Sequence, residues 1–230
     1  MTALKRKVKA NLPPESLAYK GLAFIYRAWR AAYMRLLKDS RFNEDELSMA
    51  SLRPQHLLDA VLDRYHPSSF LDVGCGVGYG LQYVVAKGVE CLGLEGSKAA
   101  LAASPVPELI RLTNLNHAVN LGRKFDLVWS FEVAEHIHTV YTDVFLETLT
   151  KHGDVIAMSA ARPGQGGCGH FNEQPPSYWI ERLEKRGYRH IDEFASYLHT
   201  LSDDHSCNMM VFERREMTTL VRSLSPIAIL

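Results

Sequence analysis

The chain has 230 residues, 47% hydrophobic and 23% charged, which bounds it as one domain with an extension or one large domain, long enough to bury a real core. Its 26 basic and 26 acidic residues cancel, so no global charge bias points to nucleic acid as a partner. The four cysteines, Cys75, Cys91, Cys168 and Cys207, stand far apart with no C-x-x-C pair, which argues against a disulfide framework or a zinc knuckle and fits a reducing, cytoplasmic setting.

At the N-terminus, Lys5, Arg6, Lys7 and Lys9 are followed by Pro13-Pro14 instead of an apolar core, so the start is not read as a secretory signal, and no apolar run reaches membrane-spanning length. Leu22, Ile25, Trp29, Ala32, Tyr33 and Leu36 recur at helical spacing and predict a helix over about 15–38. Its aromatic and basic residues suit either a cap over a substrate pocket or, as the less common case, a membrane-surface helix. The polar stretch 39–53 reads as a loop, and Pro54 is a favoured first-turn residue for a second helix running to Tyr65. Strands are expected at Phe70–Val73, Val89–Leu94, Leu109–Leu112, Phe125–Trp129 and Val155–Ser159, with helices beginning near Gly78, Ser97 and Thr139. A further helix is expected from Pro176 to Lys185, closed by Gly187. Two β-like runs, Arg189–Phe194 and Asn208–Glu213, complete the series, and the apolar end Pro226–Leu230 offers either a contact to a second copy of the chain or a frayed tail. Strands alternating with helices imply an α/β, Rossmann-like doubly wound, mostly parallel sheet with helices on both faces. Residues 1–53 then form an N-terminal helical cap and residues 54–230 the α/β domain.

Phe70-Leu71-Asp72-Val73-Gly74-Cys75-Gly76-Val77-Gly78-Tyr79-Gly80 is the most informative stretch. An apolar strand ends in an acid, alternating glycines follow, and a second apolar strand ends in another acid, Glu95. Glycines let the backbone turn sharply and approach a ligand without a Cβ in the way, and an acid after the second strand can accept from a ribose diol. The dinucleotide pattern G-x-G-x-x-G fits nowhere here, because Tyr79 stands three residues after Gly76.

With Asp72 before the loop and Glu95 after the second strand, the stretch resembles the first two motifs of the class I S-adenosylmethionine (SAM)-dependent methyltransferases. Phe125-Asp126-Leu127-Val128, a short gap and Glu135-His136-Ile137 resemble the fourth-strand segment of the same family. The resemblance implies seven strands with the last antiparallel, and SAM as cofactor with S-adenosylhomocysteine as product. It implies a cofactor site of Asp72, Gly74, Cys75, Gly76, Gly78, Glu95, Gly96, Asn114, Leu115 and Phe131. Asn114 stands where relatives usually carry an aspartate that accepts from the adenine amino group; an amide oxygen can accept the same bond. Leu115 and Leu92 either line the adenine pocket or belong to the core.

Chemistry at the acceptor is expected after the fourth and fifth strands. Glu132, Glu135 and His136 lie beside the position of methyl transfer, and a neutral imidazole suits general-base work on a hydroxyl; His136 has helix capping or packing as its alternative. The segment Ser159 to Trp179 resembles a loop of small-molecule and glycan-tailoring methyltransferases. It makes His170 the first choice for a base or substrate contact, Gln165, Asn172 and Gln174 donors or acceptors to the substrate, and Tyr178 or Trp179 a pocket wall. The alternative is that His170 and Asn172 hold the loop together. Histidines are numerous, but no H-x-x-x-H or H-E-x-x-H spacing puts two ligands on one helix face, so no metal is expected. The expected activity is methyl transfer to a hydroxyl of a small polar acceptor, such as a sugar or a tailored metabolite. N-methylation and a non-catalytic SAM-binding protein are the competing readings.

Overall fold

The computed structural model describes residues 54–167, 169–201 and 205–215. The expected cap over 1–53, the Pro226–Leu230 tail and Cys168 lie outside the described residues. The chain runs α1 (Gln55–Tyr65), β1 (Ser69–Val73), α2 (Tyr79–Val85), β2 (Glu90–Glu95), α3 (Lys98–Ala102), β3 (Ile110–Leu112), β4 (Leu127–Ser130), α4 (Thr142–His152), β5 (Val155–Ser159), α5 (Pro176–Glu184), β6 (Tyr188–His190), α6 (Asp192–His199) and β7 (Met209–Arg214). The strands form one seven-stranded sheet in the order β3-β2-β1-β4-β5-β7-β6. β1 to β5 pair in parallel, and β7 runs antiparallel to both β5 and β6.

The period-two alternation of the strands builds two cores. Phe70, Leu127, Trp129, Ala157 and Val211 face one way and pack with Leu57 and Leu58 of α1, Leu81 of α2 and Leu198 of α6. Leu71, Val73, Val128, Ile156 and Phe212 face the other way and pack with Phe145 and Leu149 of α4 and Trp179 and Leu183 of α5. Because both faces are covered, β1, β4 and β5 are buried at every position.

Two local features set the start of β1 and β4. Asp126 accepts at one carboxylate oxygen from the backbone N–H groups of Ser68 and Ser69, each at 2.9 Å, and from Ser69 Oγ at 3.0 Å. Phe125 and Asp126, expected inside the fourth strand, therefore serve as its anchor, with only a single bridge from Phe125 to Gly153. The expected strand over Arg189–Phe194 is corrected: pairing stops at His190, and Asp192–His199 is a helix. Ile191, Phe194, Ala195 and Leu198 recur at helical spacing and are all buried, and Asp192 and Glu193 in the first turn complement the helix dipole. The helix expected near Thr139 begins as a short 3-10 turn, Thr139–Tyr141, and becomes α-helical at Thr142.

Candidate active site

Strand order reverses between β1 and β4, and in a sheet of this kind the ligand crevice lies at the carboxyl ends of the strands at that point. The turn after β1 fills one side of it. Gly74, Gly76 and Gly78 all have positive φ, at 86°, 56° and 86°. Gly74 is required twice over, since a Cβ there would lie 2.4 Å from Val133 Cγ2. The segment after β4 is thus pressed directly against the glycine turn.

Glu95, at the end of β2, ties the turn down. Its Oε2 accepts from the Gly76 N–H at 2.9 Å and its Oε1 from the Ser97 N–H at 2.6 Å. Burial raises the Glu95 pKa, while those backbone donors oppose the rise. A carboxylate has about four acceptor positions, so lone pairs remain for a diol. Asp72, in β1, is buried beside Gly80, where a Cβ would lie 3.4 Å from its Oδ2, and burial, with the negative charge of Glu95 added, pushes its pKa up to about 8. Cys75 turns inward against Gly93, where a Cβ would meet its Sγ at 2.6 Å, and burial raises its thiol pKa. Leu115 and Phe131 are buried, Leu92 is half-buried, and Gly96 is exposed beside the Thr113 carbonyl. Asn114 is exposed, and its Oδ1 accepts from the Asn116 N–H at 3.0 Å, making a local turn.

The opposite side is built by the segment after β4 and the loop after β5. Glu132 has a left-handed backbone, φ 52°, unusual for a residue with a side chain. Its N–H donates to Ser159 Oγ at 2.7 Å, and its Oε1 accepts from Asn208 Nδ2 at 3.1 Å. Asn208 also donates to Gln165 Oε1 at 3.1 Å. His205 Nε2 stands 3.9 Å from Glu132 Oε2. Glu135 is fully buried, and among the described residues neither of its carboxyl oxygens finds a hydrogen-bond partner. Burial, reinforced by Glu132, raises its pKa to about 9. The ring of His136 meets the ring of His170 edge-on at 4.9 Å, and burial, followed by the neighbouring His170, lowers the pKa of His136.

His170 Nδ1 lies 3.2 Å from Glu173 Oε1. Glu173 also accepts from the N–H groups of Gly164 and Gly166, at 2.9 and 2.6 Å, which hold its pKa low and shape the loop. The backbone N–H groups of Phe171 and Asn172 donate to the Glu135 carbonyl at 2.9 and 3.0 Å. Asn172 is buried, donates to Thr142 Oγ1 at 3.1 Å and accepts from Gln174 Nε2 at 3.1 Å. Tyr178 reaches the same Thr142 hydroxyl at 3.5 Å, and Trp179 lies wholly inside the core. Arg162 donates to the Cys207 carbonyl, so the loop is fastened at both ends.

The structure thus brings Glu132, Glu135, His136 and His170 together, with Gln165 joined to them through Asn208. Asn172 and Gln174 bond to each other and to the fold, and Trp179 stands apart in the core. Sequence reasoning missed Asn208, Glu173, Ser159 and Thr142. Only Glu173 carried a signal, as an acid three residues after a histidine in a glycine-rich loop. Among the described residues, Glu135, His136 and His170 also form one group whose ligand atoms lie within 4.8 Å of one another. Glu135 and His136 are consecutive and His170 comes from a separate loop, a pairing that helix-face spacing does not register.

A mostly parallel sheet with this order and an antiparallel β7 defines the class I methyltransferase fold. The family model described as a methyltransferase domain matches residues 71–153. The chloroplastic tocopherol O-methyltransferase of Arabidopsis thaliana is 30% identical over 44% of this chain and 32% of its own length, so the chain spans about a third of that curated relative. Two solved structures share the fold. The sugar N-methyltransferase KedS8 from a Streptoalloteichus species has a TM-score of 0.54 at 16% identity, covering 72% of this chain and 88% of that one. SAM-bound CalS10, an amino pentose methyltransferase from Micromonospora echinaspora, has a TM-score of 0.55 at 15% identity, covering 71% and 92%. Residues 71–153 match a methyltransferase domain, and the fold around them is that of the class I SAM-dependent methyltransferases, shared with SAM-bound CalS10. No helix among the described residues is long and apolar enough to cross a membrane.

Proposed function

We propose that this chain transfers the methyl group of SAM to a hydroxyl of a small polar acceptor, a sugar or a tailored metabolite. The observation that carries the reading is the contact of Val133 with Gly74, which sets the segment of Glu132, Glu135 and His136 against the glycine turn. A cradle of three positive-φ glycines beside a carboxylate at the end of β2 fits an amino-acid tail and a ribose. Asp72 then faces the ammonium group, Glu95 the ribose diol, and Leu115, Phe131 and Asn114 the base. SAM supplies an electrophilic methyl group, so the protein's part is to align the acceptor and exclude water. His136, neutral near pH 7 because its pKa is lowered, takes the acceptor proton, with His170 held behind it by Glu173. Gln165 and Tyr178 remain acceptor contacts in this reading, whereas Asn172 and Gln174 shape the loop and Trp179 supports it from the core.

N-methylation is the second reading, supported by the sugar N-methyltransferase among the structural neighbours; an unprotonated amine needs little help from a base. The test is S-adenosylhomocysteine release from paired hydroxy- and amino-sugars against buffer alone, with the product mapped by mass spectrometry. Methyl on oxygen supports the first reading and methyl on nitrogen the second. SAM binding without turnover on any acceptor makes the chain a binding protein, and no SAM binding removes both.

A further inference from the structure

The feature the methyl-transfer reading leaves unexplained is Glu135. A carboxyl group with no exposed surface and no hydrogen-bond partner among the described residues is costly to keep, and such groups persist where something else meets them. Facing Glu135, besides the carboxyl of Glu132, is a pair of imidazoles. One oxygen of Glu135 and one ring nitrogen each of His136 and His170 lie mutually within 4.8 Å. We propose that Glu135, His136 and His170 bind a divalent first-row transition-metal cation between the turn after β4 and the loop after β5.

Four observations support the assignment. The donor set is two imidazoles and one carboxylate, which suits zinc, iron or cobalt over the all-oxygen preference of magnesium. Bonds of about 2.1 Å put tetrahedral ligand atoms about 3.4 Å apart, so the group closes on an ion through side-chain rotation of roughly 1 Å. Glu173 at His170 Nδ1 leaves the other ring nitrogen to serve as ligand, and a carboxylate on the far nitrogen is what orients a metal-bound imidazole. Finally, the Phe171 and Asn172 amides hold the Glu135 carbonyl, which locks the two ligand-bearing segments to each other before any ion arrives.

Three protein ligands leave coordination positions open. With the ion bound, His136 is a ligand and not the base, and the ion would instead lower the pKa of an acceptor hydroxyl in one of those positions so that its proton passes to water. That use of the ion rests on the methyl-transfer reading; its binding does not.

The test uses the full chain, stripped with a chelator and titrated with cobalt(II), zinc(II), manganese(II) and magnesium(II) by calorimetry, with the cobalt absorption spectrum recorded alongside. Expected are one equivalent of cobalt or zinc per chain, a ligand-field band, and little magnesium binding. Glu135→Gln and His170→Ala should each weaken cobalt binding by more than about ten-fold and alter the band. His117→Ala, on an exposed surface histidine, should leave both unchanged. Melting curves and SAM affinity of each variant report whether the fold survives. Absence of stoichiometric cobalt or zinc binding, or binding that both variants retain, overturns the site. If the stripped protein binds SAM and methylates an acceptor while no metal binds, the metal site falls and the methyl-transfer reading stands; if metal binds and SAM does not, the metal site stands and the methyl-transfer reading falls.

Discussion

The two sides of the crevice treat their carboxylates in opposite ways. On the β1–β2 side, Glu95 is met by two backbone N–H groups that the glycine turn and the start of α3 deliver to it. On the β4–β5 side, Glu135 is buried deeper than the half-buried Glu95 and meets none among the described residues. The first side is organised by main-chain geometry and is complete by itself. The second is organised by side chains drawn from three separate segments, and one of its buried carboxyls, Glu135, finds no hydrogen-bond partner among the described residues. A binding surface that must hold one constant molecule can be built into the backbone, whereas one that must hold a reacting acceptor carries groups left unsatisfied until it arrives.

The sharpest way to break the contrast is at the backbone. Gly74→Val puts a branched side chain at φ 86° and into Val133, and strain plus overpacking should cost about 4 kcal/mol, read as a lower melting midpoint together with loss of SAM binding. If Gly74→Val binds SAM normally, the turn is not the cradle described. Asp72 tests the electrostatics of the same side. Its folded pKa of about 8 lies far above its value of 3.8 in an open chain, so the carboxyl contributes most below about pH 4 and stability falls as pH rises towards 8. Asp72→Asn should lose that part of the pH dependence, with the slope from Glu95 and Glu135 remaining, and be more stable than the parent at pH 8 by about 3 kcal/mol, taking only half the shift at about 1.4 kcal/mol per unit. Chemical denaturation at pH 4 and pH 8 without SAM measures it, and parallel curves for the two proteins would refute it.

Glu95→Ala comes next, with SAM affinity lowered ten-fold or more, since charge-assisted bonds contribute about 1.5–3 kcal/mol and the turn loses its tie at Gly76. Unchanged affinity by calorimetry would remove Glu95 from the cofactor site. The mildest change falls on the side-chain half. Asn172→Ala removes the bond to Thr142 and the acceptor of Gln174, and should cost about 1–2 kcal/mol of stability and lower kcat with little effect on SAM affinity. A raised KM for the acceptor with unaltered stability would instead make Asn172 a substrate contact.

The same contrast governs what could be read from the sequence. β5 falls on Val155–Ser159 as expected, and β1 and β2 lie within a residue of the expected runs, because buried parallel strands are short apolar runs bounded by turns. The glycine turn and Glu95 were legible for the same local reason. Helix Asp192–His199 was not, since Ile191 and Phe194 suit a strand as well as a helix face and the deciding burial of Ala195 and Leu198 is tertiary. Asn208 was invisible because its partner Glu132 is 76 positions away in the chain. The isolation of Glu135 was invisible because lacking a partner is a property of everything packed around a group, not of its neighbours in sequence.

The antiparallel β7 has a consequence for how the molecule is made. Among the described strands it is the last to leave the ribosome, yet it sits between β5 and β6 and is the sole neighbour of β6. Until it inserts, β5 shows a bare hydrogen-bonding edge that invites pairing with another chain. Nascent chains stalled before residue 209 should therefore depend on chaperones, and completed ones should gain protease resistance in a single late step.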